Sequence, residues 1–132
     1  MSNQEPDVAI TVSDEPTVLK LVTINAATSG AITLSDTDGA LSGTAANLVL
    51  AFAGDVTEHT GTVTITDQPT LAYLITINAE TTGAITLNVT AGALSDAVAD
   101  ILLSFSGTVT SYVVAITVTD AVTVAPFYIT YA

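Results

Sequence analysis

The most constraining feature of this chain is a near-repetition. The stretch TINAATSGAITL begins at Thr23, and the closely similar TINAETTGAITL begins at Thr76, 53 positions later. Aligned without gaps at that offset, residues 14–66 and 67–119 share 27 identical positions of 53. A fixed period of this size is typical of repeat proteins, in which each unit buries an apolar face against the next unit.

The chain is therefore predicted to be a single repeat domain spanning residues 1–132. Repeat 1 covers about residues 8–60 and repeat 2 about residues 61–113, and residues 114–132 form a degenerate C-terminal segment. The apolar content of 49% is ample for one core. After Asp120 the repeat pattern decays into AVTVAPFYITYA, which is interpreted either as a cap on the chain's own end or as a strand that docks on a neighbour.

Five short alternating segments predict strands: AITVS, AITLS, TVTIT, AITLN and AITVT. In each of them, aliphatic residues occupy one parity and threonines occupy the other. Side chains of a strand alternate between its two faces. We therefore expect an aliphatic face covered by helices and an opposite face lined by Thr11, Thr33, Thr64, Thr86 and Thr117.

Two helices are predicted in each repeat. The first is expected to have an aspartate N-cap and a proline in its first turn, and to end before a left-handed glycine. These residues are Asp14, Pro16 and Gly30 in repeat 1, and Asp67, Pro69 and Gly83 in repeat 2. The second is expected to run from Ser42 to Gly54 and from Ser95 to Gly107, with the apolar stripe Leu41, Ala45, Leu48 and Phe52 or Leu94, Val98, Ile101 and Phe105.

Strands separated by helical crossovers pair in parallel. The predicted fold class is therefore α/β: a repeat solenoid of parallel β-strands with helices on one side, built from about two 53-residue βαβα units plus a degenerate C-terminal strand. The longer strand spacing leaves room for an extra extended piece at DVTEHTG. A compact doubly wound sheet is the alternative.

Charge excludes several classes of partner. The formal net charge is −12, and the one cation is Lys20. Binding to nucleic acid or to an anionic membrane needs several Lys or Arg side chains, so neither is expected. The absence of cysteine excludes disulfides, thiol catalysis and thiolate metal sites.

No signal peptide or transmembrane segment is predicted. The N-terminal MSNQEPDVAITV lacks the basic and apolar regions of a secretory signal. Residues 101–119 are uncharged and long enough to raise the question of a membrane span, but they contain Gly107 and change pattern midway. They are interpreted as a helix end, a turn and strands, without membrane insertion.

The segments TVTITDQPTLAYLITINAETTGAITL and GALSGTAANLVLAF resemble the degenerate repeats of very long bacterial adhesin-like surface proteins and of some structural proteins of marine cyanophages. This resemblance covers nearly the whole chain. It implies a non-enzymatic role on a virion or in the extracellular space, and it brings no catalytic residues. The short chain starting at Met1 without a visible export signal favours a small virion or filament component.

Residues that could carry chemistry are few. His59, the only histidine, lies in a polar EHTG turn and is expected to be a solvent-exposed loop residue, so we expect no enzyme and no cofactor. Asp36 and Asp38, in SDTDG, have the spacing of a weak calcium turn, but the carboxylates are missing from the second repeat. A polar turn is the preferred interpretation.

The second helices are apolar nearly all round, which predicts a cover on both sides. We expect that cover to be another copy in a homo-oligomer or a larger scaffold protein, with the loop DVTEHTG and the C-terminal tail as the alternative. The predicted interaction residues are Val49, Leu50, Leu102, Leu103, Phe127, Tyr128, Ile129 and Tyr131.

The sequence thus predicts a structural or assembly protein that self-associates through apolar helix faces and open sheet edges, as a virion-surface or extracellular filament component. The alternative is an adhesin-type module that binds a glycan, a cell surface or ice through its threonine face. That face comprises Thr33, Thr62, Thr64, Thr66, Thr86 and Thr117.

Overall fold

A computed structural model describes residues 7–88, 92–109 and 115–121. It shows a mixed α/β fold with four helices and short parallel strands. The elements of the first repeat are β1 (Ile10–Val12), α1 (Val18–Ala27), β2 (Ile32–Leu34), β3 (Leu41–Gly43) and α2 (Ala45–Ala51). They are followed by β4 (Val63–Ile65), α3 (Leu71–Glu80), β5 (Ile85–Leu87), β6 (Leu94–Asp96), α4 (Val98–Ser104) and β7 (Ile116–Val118). Each repeat therefore has the order βαββα, one strand more than predicted.

All described strand pairs are parallel, as predicted. They form three small sheets with the orders β1-β2, β3-β4-β5 and β6-β7. The first sheet is extended by a bridge from Ile32 to Val56, which confirms the extended piece at DVTEHTG. The predicted parity is also confirmed, because Ile32 and Leu34 are buried while Thr33 between them is exposed.

Strands β3 and β6 correct the prediction that the second helices begin at Ser42 and Ser95. Both serines lie in strands, and Ser42 pairs with Thr64 of β4. Helix α2 begins only at Ala45, because the hydroxyl of Thr44 accepts a hydrogen bond from the Asn47 amide at 3.3 Å and caps it. The predicted helix start was wrong because Leu41, which lies in β3, has the spacing of the apolar stripe of α2.

The N-caps of the first helices also differ from the prediction. Thr17 and Thr70 are the N-caps, and each hydroxyl accepts a hydrogen bond from the amide three residues later at 3.3 Å. Pro16 and Pro69 lie just before the caps and are buried rather than in the first helical turn. The proline ring holds the chain extended as it enters the helix.

The repeated aspartates instead cap the second helices from the following strand. A carboxylate oxygen of Asp67, which follows β4, accepts a hydrogen bond from the Ala45 amide of α2 at 2.7 Å. Asp120, which follows β7, accepts from the Val98 amide of α4 at 2.9 Å. These contacts join the start of a helix to a segment 22 residues later.

The glycines after the first helices are required by close packing, and the predicted left-handed conformation is wrong. Among the described residues, only Gly54 has a positive φ, of 80°. A Cβ on Gly30 would overlap the backbone of Val8, and a Cβ on Gly83 would overlap the Gly61 carbonyl oxygen. The helices end instead at threonines in the extended conformation.

The core lies between the strands and the helices. Helix α1 packs against α2, α2 against α3, and α3 against α4. Leu21, Leu48 and Leu74 from these helices are fully buried together with Val63 and Ile65 of β4. Apolar burial of this kind is the main stabilising contribution to such a fold.

No helix in the described ranges is both long and apolar enough to cross a membrane. The uncharged stretch that raised this question holds α4, a bridge at Val109 and β7. The interpretation of that stretch as a helix end, a turn and strands is confirmed at α4 and β7, and residues 110–114 between them lie outside the described residues.

Candidate assembly surface

The predicted interaction residues of the second helices fall into two groups. Leu50 and Leu103 occupy equivalent positions in α2 and α4, and each is 52% exposed. Their equal exposure means that this outward position is uncovered in both repeats. The loop DVTEHTG, residues 55–61, therefore leaves Leu50 uncovered.

Val49 and Leu102 form the second group, and they differ although they too are equivalent. Val49 is partly buried and packs against the core. Leu102 is 68% exposed. Helix α2 packs against both α1 and α3, whereas the described helix against which α4 mainly packs is α3. The lack of a second helix packed on α4 in the described part of the chain is consistent with the exposure of Leu102.

Helix α1, at the N-terminal end of the described structure, also carries apolar side chains that are less buried than expected from its equivalent, α3. Ile24 of α1 is only partly buried, whereas Ile77, at the equivalent position of α3, is fully buried. Leu19 of α1 is also exposed, and the residue at its place in α3 is Ala72. The sequence interpretation missed Leu19, and the replacement of a small residue by leucine was the signal that could have revealed it.

The final described strand is exposed in a way that the inner strands are not. Ile116 and Val118 of β7 are 40% and 37% exposed. Their equivalents in β4, Val63 and Ile65, are fully buried. Strand β7 therefore leaves apolar surface uncovered at the C-terminal end of the described structure.

Four other predicted interaction residues lie outside the described residues: Phe127, Tyr128, Ile129 and Tyr131. Their prediction as a cap or docking strand stays a prediction.

The threonine face is distributed over three sheets. Thr33 pairs with Thr11, Thr64 with Ser42 and Thr86, and Thr117 with Ser95. Thr33, Thr62, Thr66 and Thr117 are exposed, whereas Thr64 and Thr86 are partly buried. The paired rows are thus two or three residues long, and two of the three rows begin with a serine.

His59 corrects the prediction of an exposed loop residue, because its side chain is fully buried. Its Nε2 lies 2.8 Å from the Gly39 carbonyl oxygen, which can only accept, so Nε2 donates. Its Nδ1 lies 3.4 Å from the Thr81 hydroxyl oxygen, and its ring centroid lies 5.9 Å from that of Phe52. The imidazole therefore ties segments of both repeats together, which accounts for its burial.

Among the described residues, no group of three or more histidine, cysteine or acidic side chains could hold a metal ion. At the weak calcium candidate, one oxygen of Asp36 accepts hydrogen bonds from the amides of Asp38 and Gly39 at 3.3 and 3.0 Å. This is the local geometry of an aspartate turn. It accounts for Asp36 without an ion.

Near the N-terminal end of the described structure, Lys20 and Asp14 form an ion pair. The Lys20 ammonium donates a hydrogen bond to Asp14 at 2.7 Å. This hydrogen bond and the positive charge of Lys20 hold the pKa of Asp14 below its ordinary value. Both side chains are more than half exposed, so the pair contributes little to stability.

No family model, curated protein or solved structure matches this chain.

Proposed function

We propose that this chain is a non-enzymatic structural or assembly protein, a virion-surface or extracellular filament component. In this proposal the two repeats form a short α/β solenoid with helices on one side. Copies associate through apolar helix faces and open strand edges, as homo-oligomers or on a larger scaffold. The parallel pairing of strands 22 residues apart, such as Ile10 with Ile32 and Val63 with Ile85, supports the solenoid arrangement.

The observation that carries this proposal is the difference between Val49 and Leu102. One position of the repeat is packed against the core in α2 and is 68% exposed in α4. The exposed leucine therefore occupies a position that is packed in the inner repeat, where α2 has both α1 and α3 as neighbours. Burying such surface contributes about 25 cal/mol per Å² of apolar area.

Light scattering on the size-exclusion peak of the full 132-residue chain tests the proposal. We expect oligomers whose mass rises with protein concentration, and more so at high salt, because copies with a charge of −12 repel one another. The double variant L102S/L103S should be monomeric. Unchanged oligomers in that variant, or a wild-type monomer under all conditions, would contradict the proposal.

An adhesin-type binding module is the second candidate, and the exposure of Thr33 and Thr117 favours it. Exposed threonines on flat strands can meet a glycan, a cell surface or ice. The variant T33K/T117K should then lose binding to a glycan array, to cells or to ice, while its oligomeric state is unchanged. Unaltered binding would exclude this face.

A further inference from the structure

Strands β1 and β7 carry almost the same segment. Residues 10–14 read ITVSD, and residues 116–120 read ITVTD. In β7 this segment pairs with β6, with Ser95 opposite Thr117, and its aspartate Asp120 caps α4. The segment at β1 has the same residues for that pairing, and Asp14 stands at the place of Asp120.

The junction between β3 and β4 shows what this pairing looks like when it is complete. There, Leu41 pairs with Val63, and Asp67 caps α2. The strand is followed by a helix, α3, which packs onto α2. As a result Val63 and Ile65 are fully buried.

The junction between β6 and β7 keeps the pairing and the cap but leaves the apolar side chains exposed. Ile116 and Val118 of β7 are exposed, and so is Leu102 of α4. Strand β1 is followed by α1. That helix has its own uncovered residues, Leu19 and the partly buried Ile24.

We propose that copies join head to tail, with β1 of one copy taking the place of β7 beside β6 of another. This inference rests on the proposed function of self-association. In the joint, Thr11 of the second copy lies opposite Ser95, and Asp14 accepts the hydrogen bond of the Val98 amide. Helix α1 of the second copy packs on α4 as α3 packs on α2, and covers Leu102.

Lys20 offers one favourable charge contact in this arrangement, since the incoming segment otherwise carries the acidic Asp14 and Glu15. The joint at β6 and α4 carries Asp96 and Asp100, where the inner joint has the neutral Gly43 and Asn47. Helix α1 carries Lys20, the only cation of the chain. A second copy therefore brings the one positive side chain to the end where carboxylates have replaced neutral residues.

A joint of this kind leaves the β6 end of the second copy free for a third. Head-to-tail contacts that do not close into a ring build filaments. In this arrangement β7 acts as an internal competitor for the edge of β6, because the two strands cannot occupy it together.

Disulfide trapping tests the joint, since the chain contains no cysteine. Paired strands bring Cα atoms to distances that a disulfide can span. We expect the oxidised double variant T11C/S95C to give a ladder of linked multimers on a non-reducing gel. The matched control is T11C/S42C, because Ser42 is exposed like Ser95 but its partner strand β4 is held on both sides, by β3 and β5, whereas β7 pairs only with β6 among the described strands.

The outcomes separate this inference from the proposed function. Oligomers by light scattering without a T11C/S95C ladder would overturn the head-to-tail joint and leave self-association standing. Dimers from T11C alone would show a head-to-head contact and overturn it too. A monomer at all concentrations would contradict self-association itself.

Weakening the pairing of β7 gives a second test, because the proposal predicts an increase in association and not a decrease. The variant I116D/V118D should free the edge of β6 and increase association, by about fivefold for a loss of about 1 kcal/mol in the competing strand. Reduced association would mean that β7 is itself part of the contact, which would overturn the proposal.

Discussion

Helices α2 and α4 have the same length and the same place in the two repeats, yet they differ in what surrounds them. Helix α2 packs against both α1 and α3, whereas α4 packs mainly against α3 among the described helices. Accordingly Leu48 is fully buried and its equivalent Ile101 only partly so. The comparison teaches that burial in this molecule depends on the neighbouring segment more than on the residue itself.

The largest expected effect comes from removing the buried side chain of the inner helix. We expect Leu48→Ala to lower the free energy of unfolding by about 3 kcal/mol, because it deletes apolar contacts and leaves a cavity. Ile101→Ala should cost about 1 kcal/mol in the monomer, since its site is partly open. Urea unfolding measures both. Equal losses would show that the ends of the structure are packed like its middle.

His59 extends the comparison of interior and end positions to a polar residue, because its side chain is buried in the interior. We expect His59→Ala to cost about 2 kcal/mol, since it leaves the Gly39 carbonyl oxygen without a buried donor and removes the ring beside Phe52. His59→Phe retains the ring volume and should recover part of the loss. Thermal or urea unfolding measures both variants. A wild-type stability in His59→Ala would contradict the tie between the repeats.

The capping aspartates allow the same comparison at a smaller scale. Asp67→Ala should cost about 1 kcal/mol, the usual value of a helix cap. Asp120→Ala should cost about half as much, because its contact with Val98 is exposed and screened by water. Urea unfolding of the two variants gives the ratio. A larger loss for Asp120→Ala would reverse the order of inner and outer joints.

The smallest effect is expected at Asp14, which has Lys20 where its equivalents have a helix amide. Its folded pKa is lowered, so its contribution to stability is present above its ordinary value near 4 and is lost as the pH falls through the folded pKa. The variant Asp14→Asn should therefore unfold with a slightly flatter pH dependence below about pH 4. An unaltered acid profile would mean that the pair with Lys20 contributes nothing.

Local patterns predicted the regular parts of this fold. Alternation of isoleucine or valine with threonine placed five of the seven described strands and assigned Thr33 to the outer face. Strands β3 and β6 were missed because their sequences, LSG and LSD, lack the alternating β-branched residues of the other strands and their leucine fits a helical stripe. The burial of His59 was missed because its partners, Gly39 and Thr81, lie 20 and 22 residues away.

The candidate surface was predicted less completely, for a related reason. Apolar helix faces indicated Leu50, Leu102 and Leu103, which are exposed, and also Val49, which packs against the core. Nothing in the local sequence distinguishes Val49 from Leu102. The difference depends on whether another helix lies alongside, and that is a property of the assembled chain.

The contact between Asp67 and α2 has a consequence during synthesis, because the start of this helix and its cap are made at different times. When Ala45 has been added to the growing chain, the aspartate that caps its amide lies 22 residues further along the sequence and has not yet been added. The same delay separates Val98 from Asp120. A nascent chain that ends between residues 45 and 67, or between residues 98 and 120, therefore carries a second helix that still lacks its aspartate cap.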